Sequence, residues 1–194
     1  AIGRLLNELE QLNLRKNTLI IFASDNGAAI QAPIKILNCN AGFKGRKGTL
    51  YEGGIRVPFI VNQPGMVPIQ TLDNLIYFPD MMPTLAALAK GTKHLPKQIN
   101  GINILPLFYG KQVDTDNRLL YWEFPGKQRA ARKGDWKCVT IHPNQPLELY
   151  NLKEDPEETN NLAKKYPRRV KEFDEEMQRM HIPTPNWPQP GEQF

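Results

Sequence analysis

The chain has 194 residues, 40% of them hydrophobic and 23% charged, a composition that excludes a disordered or collagen-like protein and fits one large domain or two small ones. Its apolar runs fall far short of the roughly 20 residues that span a bilayer, and no charged-then-apolar leader opens it, so neither an anchor nor an export signal is expected. The formal charge of +5 gathers in two basic stretches, Lys35 to Arg56 and Lys127 to Lys137, each with five cations against one acid; this suits a focused anionic-substrate site at least as well as a nucleic-acid track.

In chain order, Ile2, Leu5, Leu6, Leu9 and Leu12 repeat at three- and four-residue steps, the stripe of an amphipathic helix. A polar connection from Asn13 to Asn17 leads into Thr18 to Ala23, a continuous β-branched and aromatic run of the kind buried on both faces of a sheet. Helix, short loop and buried strand form half of a βαβ unit. An earlier parallel strand is then required, so the expectation is the carboxyl-terminal portion of a longer protein. A second strand is expected over Val57 to Asn62, with Pro58 at its start or on an edge. Thr71 to Ala89 reads as a helix whose core face is Phe78, Met81, Met82, Leu85, Ala86 and Leu88, broken or bent at Pro83. Leu95 to Pro106 is loop-like, and the polar Asp114 to Asn117 marks a domain boundary.

Beyond it, Arg118 to Phe124, Gln128 to Lys133, Trp136 to Ile141 and Leu147 to Leu152 stand at hairpin spacing, with a turn at Lys133-Gly134-Asp135. They predict a four-stranded antiparallel sheet. Asp155-Pro156-Glu157-Glu158 has Pro and acids where a helix would begin, and a second helix is expected from Pro167 to Met180. Pro183 to Phe194 is a Pro-rich tail. Cys39 and Cys138 are too few for a disulfide framework or a four-cysteine zinc site and read as free thiols or a single pair.

Two segments carry chemistry. Ser24-Asp25-Asn26-Gly27 follows a strand and offers two oxygen donors suited to a hard cation, although the same residues also make an ordinary strand-ending turn. Twenty-one residues beyond Asn26, Lys47 lies between Gly45 and Gly48, where an ammonium and backbone amides can converge on an anion; a solvated basic loop is the plainer account. Lys44 and Arg46 are either helpers in anion binding or exposed loop cations. His142 lies in a hairpin of the small sheet, facing a substrate pocket or the surface. His94 and His181 have no neighbours that argue for catalysis.

Together, Asn17-Thr18 through Gly27, then Lys47-Gly48-Thr49-Leu50-Tyr51-Glu52-Gly53-Gly54-Ile55-Arg56-Val57-Pro58, resemble the sulfatase family, the arylsulfatase-like branch of the alkaline-phosphatase superfamily. Arg129 to Lys137 and Glu148 to Ala163 continue the resemblance in family order. It implies an α/β fold: the carboxyl-terminal part of an alkaline-phosphatase-like sheet domain over residues 1–115, and a small antiparallel sheet with a packed helix over residues 116–194. Asp25 and Asn26 would be two ligands of an active-site Ca²⁺. Lys47 would contact the sulfate and stabilise the departing ester oxygen, with His142 a second substrate-binding candidate. Glu52 and the glycines after it would shape the loop, and the Leu149-Tyr150-Asn151-Leu152 signature with its Asp-Pro-Glu would be structural.

The family's nucleophile is a formylglycine made within a Cys/Ser-x-Pro/Ala-x-Arg motif. Neither Cys39 nor Cys138 has that context, so the formylglycine and the remaining metal ligands are expected in an amino-terminal portion outside these residues. The implied substrate is a sulfated small molecule or sulfated sugar, with no nucleic-acid or membrane partner, and the implied compartment is periplasmic, secreted or lysosomal. A phosphomonoester or phosphonate hydrolase of the same superfamily and a non-catalytic polyanion-binding module are the alternatives.

Overall fold

In the computed structural model, which describes residues 1–124, 128–142, 144–186 and 188, the leucine stripe forms helix α1 (Ile2–Gln11). Asn13 ends it at φ 56°, and the Leu14 N–H closes back on the Leu9 carbonyl, the six-residue return that satisfies a terminal carbonyl. Strand β1 (Ile20–Ala23) pairs with β2 (Phe59–Asn62), and Pro58 stands just before β2. This pairing is antiparallel. Ile21, Phe59 and Val61 pack inward, and the cross-strand pair Phe22 and Ile60 is exposed within these residues.

Helix α2 spans Ile34–Leu37 and α3 spans Glu52–Ile55. The helix expected from residue 71 begins only with a 3-10 turn at Phe78–Asp80 and continues as α4 (Met81–Leu88). Asp80, fully buried, accepts the N–H groups of Tyr77 and Ile102 at 3.0 and 2.9 Å and so sets the start. Pro83 lies in the first turn, where an amide hydrogen has no intrahelical partner, so it does not break the helix. Of the expected core set Met81 packs on the core, beside the buried Pro83 and Thr84, whereas Phe78, Met82, Leu85 and Leu88 are exposed. An apolar sequence on all sides hid the buried face. Helix α5 (Leu105–Phe108), in and beyond the segment read as a loop, supplies the centre of this core with Ile104, Leu107 and Phe108.

The chain divides into two units, Ala1–Ala23 with Pro58–Asp116 and Ser24–Val57 with Asn117–Phe194. Residues 24–57, read from sequence as part of the larger domain, therefore group with the carboxyl-terminal sheet. That sheet is antiparallel in the order β3 (Leu119–Phe124), β4 (Gln128–Lys133), β5 (Trp136–Thr140), β6 (Glu148–Asn151). Its period-2 alternation builds two different faces. Ala131, Cys138 and Leu149 meet Phe173 and Met177 of α6 (Pro167–Met180), where burying each large side chain contributes about 1.5–3 kcal/mol. Ala130, Val139 and Tyr150 meet Leu50 and Tyr51 on the other face.

Asp155 to Glu158 forms turns instead of the expected helix start. The Asp155 carboxylate accepts the Thr159 and Asn160 N–H groups and the Thr159 hydroxyl, closing a loop in place of a helix cap. Its partial burial acts against ionisation, but these donors outweigh it and hold the carboxyl below its ordinary range. Lys127 and most of the Pro183 to Phe194 tail beyond Asn186 lie outside the described residues. No helix among the described residues is long and apolar enough to cross a membrane.

Candidate active site

Directly after β1, Ser24 turns the chain by donating its hydroxyl to the Asn26 carbonyl at 2.8 Å. This leaves Asp25 exposed and Asn26 half-buried. The Gly27 N–H then donates to the Gly54 carbonyl at 2.9 Å, so the turn leans on α3. A Cβ on Gly27 would lie 1.8 Å from the Gly53 carbonyl oxygen, which no side chain tolerates.

The Lys47 loop is attached to the same place. The Lys47 N–H donates to the Ala28 carbonyl at 3.0 Å, and Gly45 and Gly48 take the left-handed φ values of 81° and 93° that turn the chain around the exposed lysine. Gly53 and Gly54 thread through the loop. A Cβ on Gly53 would meet the carbonyls of Phe43, Lys44 and Gly45 at 2.6–2.7 Å, and one on Gly54 would meet Thr49 O at 2.0 Å. Asp25, Asn26 and Lys47, distant in sequence, are thus carried on backbone segments bonded to each other.

Among the described residues, no hydrogen bond joins His142 to them. It is exposed in the β5–β6 connection, where its Nδ1 accepts the Asn144 N–H at 3.3 Å, a local turn contact. Lys44 turns inward: its ammonium lies 3.4 Å from Glu148 Oε2, 2.9 Å from the Tyr150 hydroxyl and 4.0 Å from the centre of the Tyr51 ring. The Tyr51 and Tyr150 hydroxyls both donate to Glu148 at 2.7 Å, and burial first, then the Glu148 hydrogen bond, push both phenols above their ordinary range. They remain proton donors. Arg46 donates to the Ile30 carbonyl at 3.4 Å. The Cys138 thiol, buried and free, is pushed up to about 12 chiefly by burial, so it stays protonated; Cys39 is free and exposed.

Much of the positive charge is consumed internally. Arg129 pairs with Asp174 at 3.4 Å, and Arg56 and Arg132 lie 3.8 and 3.6 Å from Glu52 Oε2. Lys137 is fully buried, with its ammonium 2.9 Å from both Glu52 Oε1 and Glu158 Oε1. Glu158 Oε2 accepts the Glu52 N–H at 2.7 Å. Burial raises the Glu158 pKa, against the pull of Lys137. This ion cluster was invisible as a unit in the sequence. Its one legible sign is a lysine at 137 on the same strand face as Val139, where alternation would place an apolar residue.

As oxygen donors on a fixed turn, Asp25 and Asn26 fit a share of a hard-cation site that takes six to eight ligands. Among the described residues, no group of three or more His, Cys, Asp or Glu could hold a metal ion alone.

A family model described as Sulfatase matches residues 1–92. The chain is 32% identical over 192 residues to a sulfatase of Formosa agariphila, covering 86% of this chain and 34% of that protein. It is 30% identical to an N-acetylgalactosamine-6-O-sulfatase of Bacteroides thetaiotaomicron, covering 90% of this chain and 38% of that protein. The solved structure of Ps i-CgsB in complex with k-i-k-neocarrahexaose superposes with a TM-score of 0.78 at 27% identity, covering 98% of this chain and 42% of that one. The chain therefore spans between a third and a half of the length of these relatives. With nearly all of its residues accounted for by sulfatase relatives, the chain belongs to the sulfatase family.

Proposed function

We propose that this chain forms part of a calcium-dependent sulfatase that hydrolyses sulfate esters, with sulfated sugars as the substrate class. The single observation that carries the reading is the pair of backbone bonds, Gly27 to Gly54 and Lys47 to Ala28, that puts a two-oxygen cation turn and a lysine loop on one support. The relatives named for N-acetylgalactosamine 6-sulfate chemistry and bound to a neocarrahexaose favour a sugar over a simple aryl ester.

Asp25 and Asn26 hold part of the cation shell, and Lys47 binds the sulfate and stabilises the negative charge that develops on the ester oxygen as the S–O bond breaks. Calcium, when bound, supplies positive charge to the sulfate oxygens. Neither cysteine stands in the nucleophile motif, and Cys138 is a buried neutral thiol, so residues 1–194 alone are expected to turn over no aryl sulfate. The internal pairing of Lys44, Arg56, Arg129, Arg132 and Lys137 weakens the polyanion-module alternative.

The test is hydrolysis of aryl sulfate, aryl phosphate and a sulfated galactosamine by the full gene product, with and without a calcium chelator. Sulfate release that the chelator abolishes is the expected result. Faster phosphate turnover would overturn the reading, and chelator-insensitive turnover would remove calcium from it. Replacing Lys47 with Ala should lower turnover about 10²-fold, the usual cost of one lost donor at a charged leaving oxygen.

A further inference from the structure

We propose that Gln128 and Lys137, on the loop-facing side of the β4–β5 hairpin, are positioning residues that set the placement of Lys47, an inference that rests on the role given to Lys47 above. Neither touches substrate, since Gln128 is 8% exposed and Lys137 is 0% exposed. Both act on the backbone that carries the candidate site.

Gln128 brackets the lysine loop. Its Nε2 donates to the Gly48 carbonyl at 2.9 Å, and its Oε1 accepts the Leu50 N–H at 3.2 Å, so one side-chain amide ties down the two backbone groups just beyond Lys47. Lys137 acts one step further along. Its ammonium fixes the Glu52 carboxylate, and Glu158 grips the Glu52 N–H, so the first residue of α3 is held at both ends. Glu158 takes this role at φ 56°, a left-handed conformation that a non-glycine residue keeps only when its surroundings demand it. The next two residues, Gly53 and Gly54, are the ones threaded through the Lys47 loop and bonded to Gly27. Displacement of Glu52 is thus transmitted to Gly53 and Gly54 without an intervening flexible link.

A buried ion cluster is a poor source of net stability, because desolvating the charges offsets much of their attraction; its distinctive property is direction. An apolar pair at these positions would fill the space without specifying where Glu52 points. Period-2 alternation puts Gln128, Arg132 and Lys137 on the same face as Ala130 and Val139, so the sheet presents directional groups to the loop beside the apolar contacts with Leu50 and Tyr51.

The experiment uses the full gene product and a series of aryl sulfates whose leaving phenols differ in pKa. A residue that stabilises the departing oxygen matters most for poor leaving groups, whereas a loss of folded protein lowers every rate by one factor. Lys47→Ala should steepen the dependence of kcat on leaving-group pKa. Gln128→Met, and the charge-balanced Lys137→Met/Glu158→Gln pair, should steepen it in the same sense, with about 10- to 10²-fold loss for the poorest leaving group and a smaller loss for the best, the scale expected of an ångström-sized misplacement. If Lys47→Ala steepens the series and folded Gln128→Met leaves its slope unchanged, the positioning role is overturned while the function stands. If Lys47→Ala leaves the slope unchanged, the function assigned to Lys47 fails first. Should the paired variant not fold, Gln128→Met alone decides, since it leaves the ion cluster intact.

Discussion

The two faces of the four-stranded sheet do different work with the same strands. Against α6 the buried contacts are Ala131, Cys138, Leu149, Phe173 and Met177, all apolar, and the half-buried Arg129–Asp174 ion pair joins them. Against residues 44–57 the sheet adds to the apolar contacts of Ala130 and Val139 a set of polar groups, Gln128, Arg132, Lys137, Glu148 and Tyr150, each committed to a particular partner atom. Apolar burial is non-directional and supplies stability, whereas hydrogen bonds and ion pairs supply geometry at little net gain. The face that carries geometry is the one that meets the loops bearing Asp25, Asn26 and Lys47.

The sharpest way to break this contrast is Lys137→Met alone. It leaves the Glu52 and Glu158 carboxylates buried without their ammonium, at an expected cost of about 3–5 kcal/mol in urea unfolding. Adding Glu158→Gln should recover most of that stability, because Glu52 keeps Arg56 and Arg132 beside it while Glu158 is the carboxylate whose charge depends on Lys137. The single variant should also lose stability as pH rises. Glu158 already has a raised pKa in the folded chain, and without Lys137 its folded pKa rises further above the unfolded value. Stability is then greatest below the ordinary carboxylate range and is lost as pH climbs through the folded pKa. A flat pH profile would show that the ammonium does not govern the titration of Glu158.

Met177→Ala tests the other face. Met177 is fully buried, and its truncation should cost about 2–5 kcal/mol, the range for large-to-small changes in a core. Assayed well below its melting temperature, this variant should retain the wild-type dependence on leaving group. A change of slope there would erase the distinction between the two faces.

How much of this was legible follows the same division. Alternation and turn residues specify β3 to β6 to within a residue or two, and the helix at Pro167–Met180 was read with its observed bounds. These are local patterns with a fixed period. One of the two partners of Lys137, Glu52, lies 85 residues away, so no local pattern could announce it. The same holds for residues 24–57, whose assignment to the carboxyl-terminal unit depends on pairings such as Leu50 with Gln128. Asp25, Asn26 and Lys47 were recognised as donors and cation by residue type, but that Gly27 and Lys47 are joined through Gly54 and Ala28 is a property of the fold. The misreadings were also local. Pro83 reads as a break or bend because only the buried Asp80, through its long-range bond to Ile102, places it in the first turn, and Asp155-Pro156-Glu157-Glu158 imitates a helix start while Asp155 closes a loop.

Asp155 gives the smallest and cleanest test, because it lies at the junction of neither apolar core. Its carboxylate takes three hydrogen bonds from Thr159 and Asn160, and these hold the turn that delivers Glu158 to Lys137. Asp155→Ala should cost about 1 kcal/mol, the typical value of a capping interaction. The sign of its pH dependence is opposite to that of Glu158. With a folded pKa held below the unfolded one, Asp155 stabilises the chain above the unfolded carboxylate pKa, and the contribution disappears as pH falls through the folded value. The difference in urea midpoint between wild type and Asp155→Ala should therefore be constant near neutral pH and shrink in acid. If it persists unchanged below the folded pKa, the contribution of Asp155 comes from packing, and Glu158 is delivered to Lys137 without it.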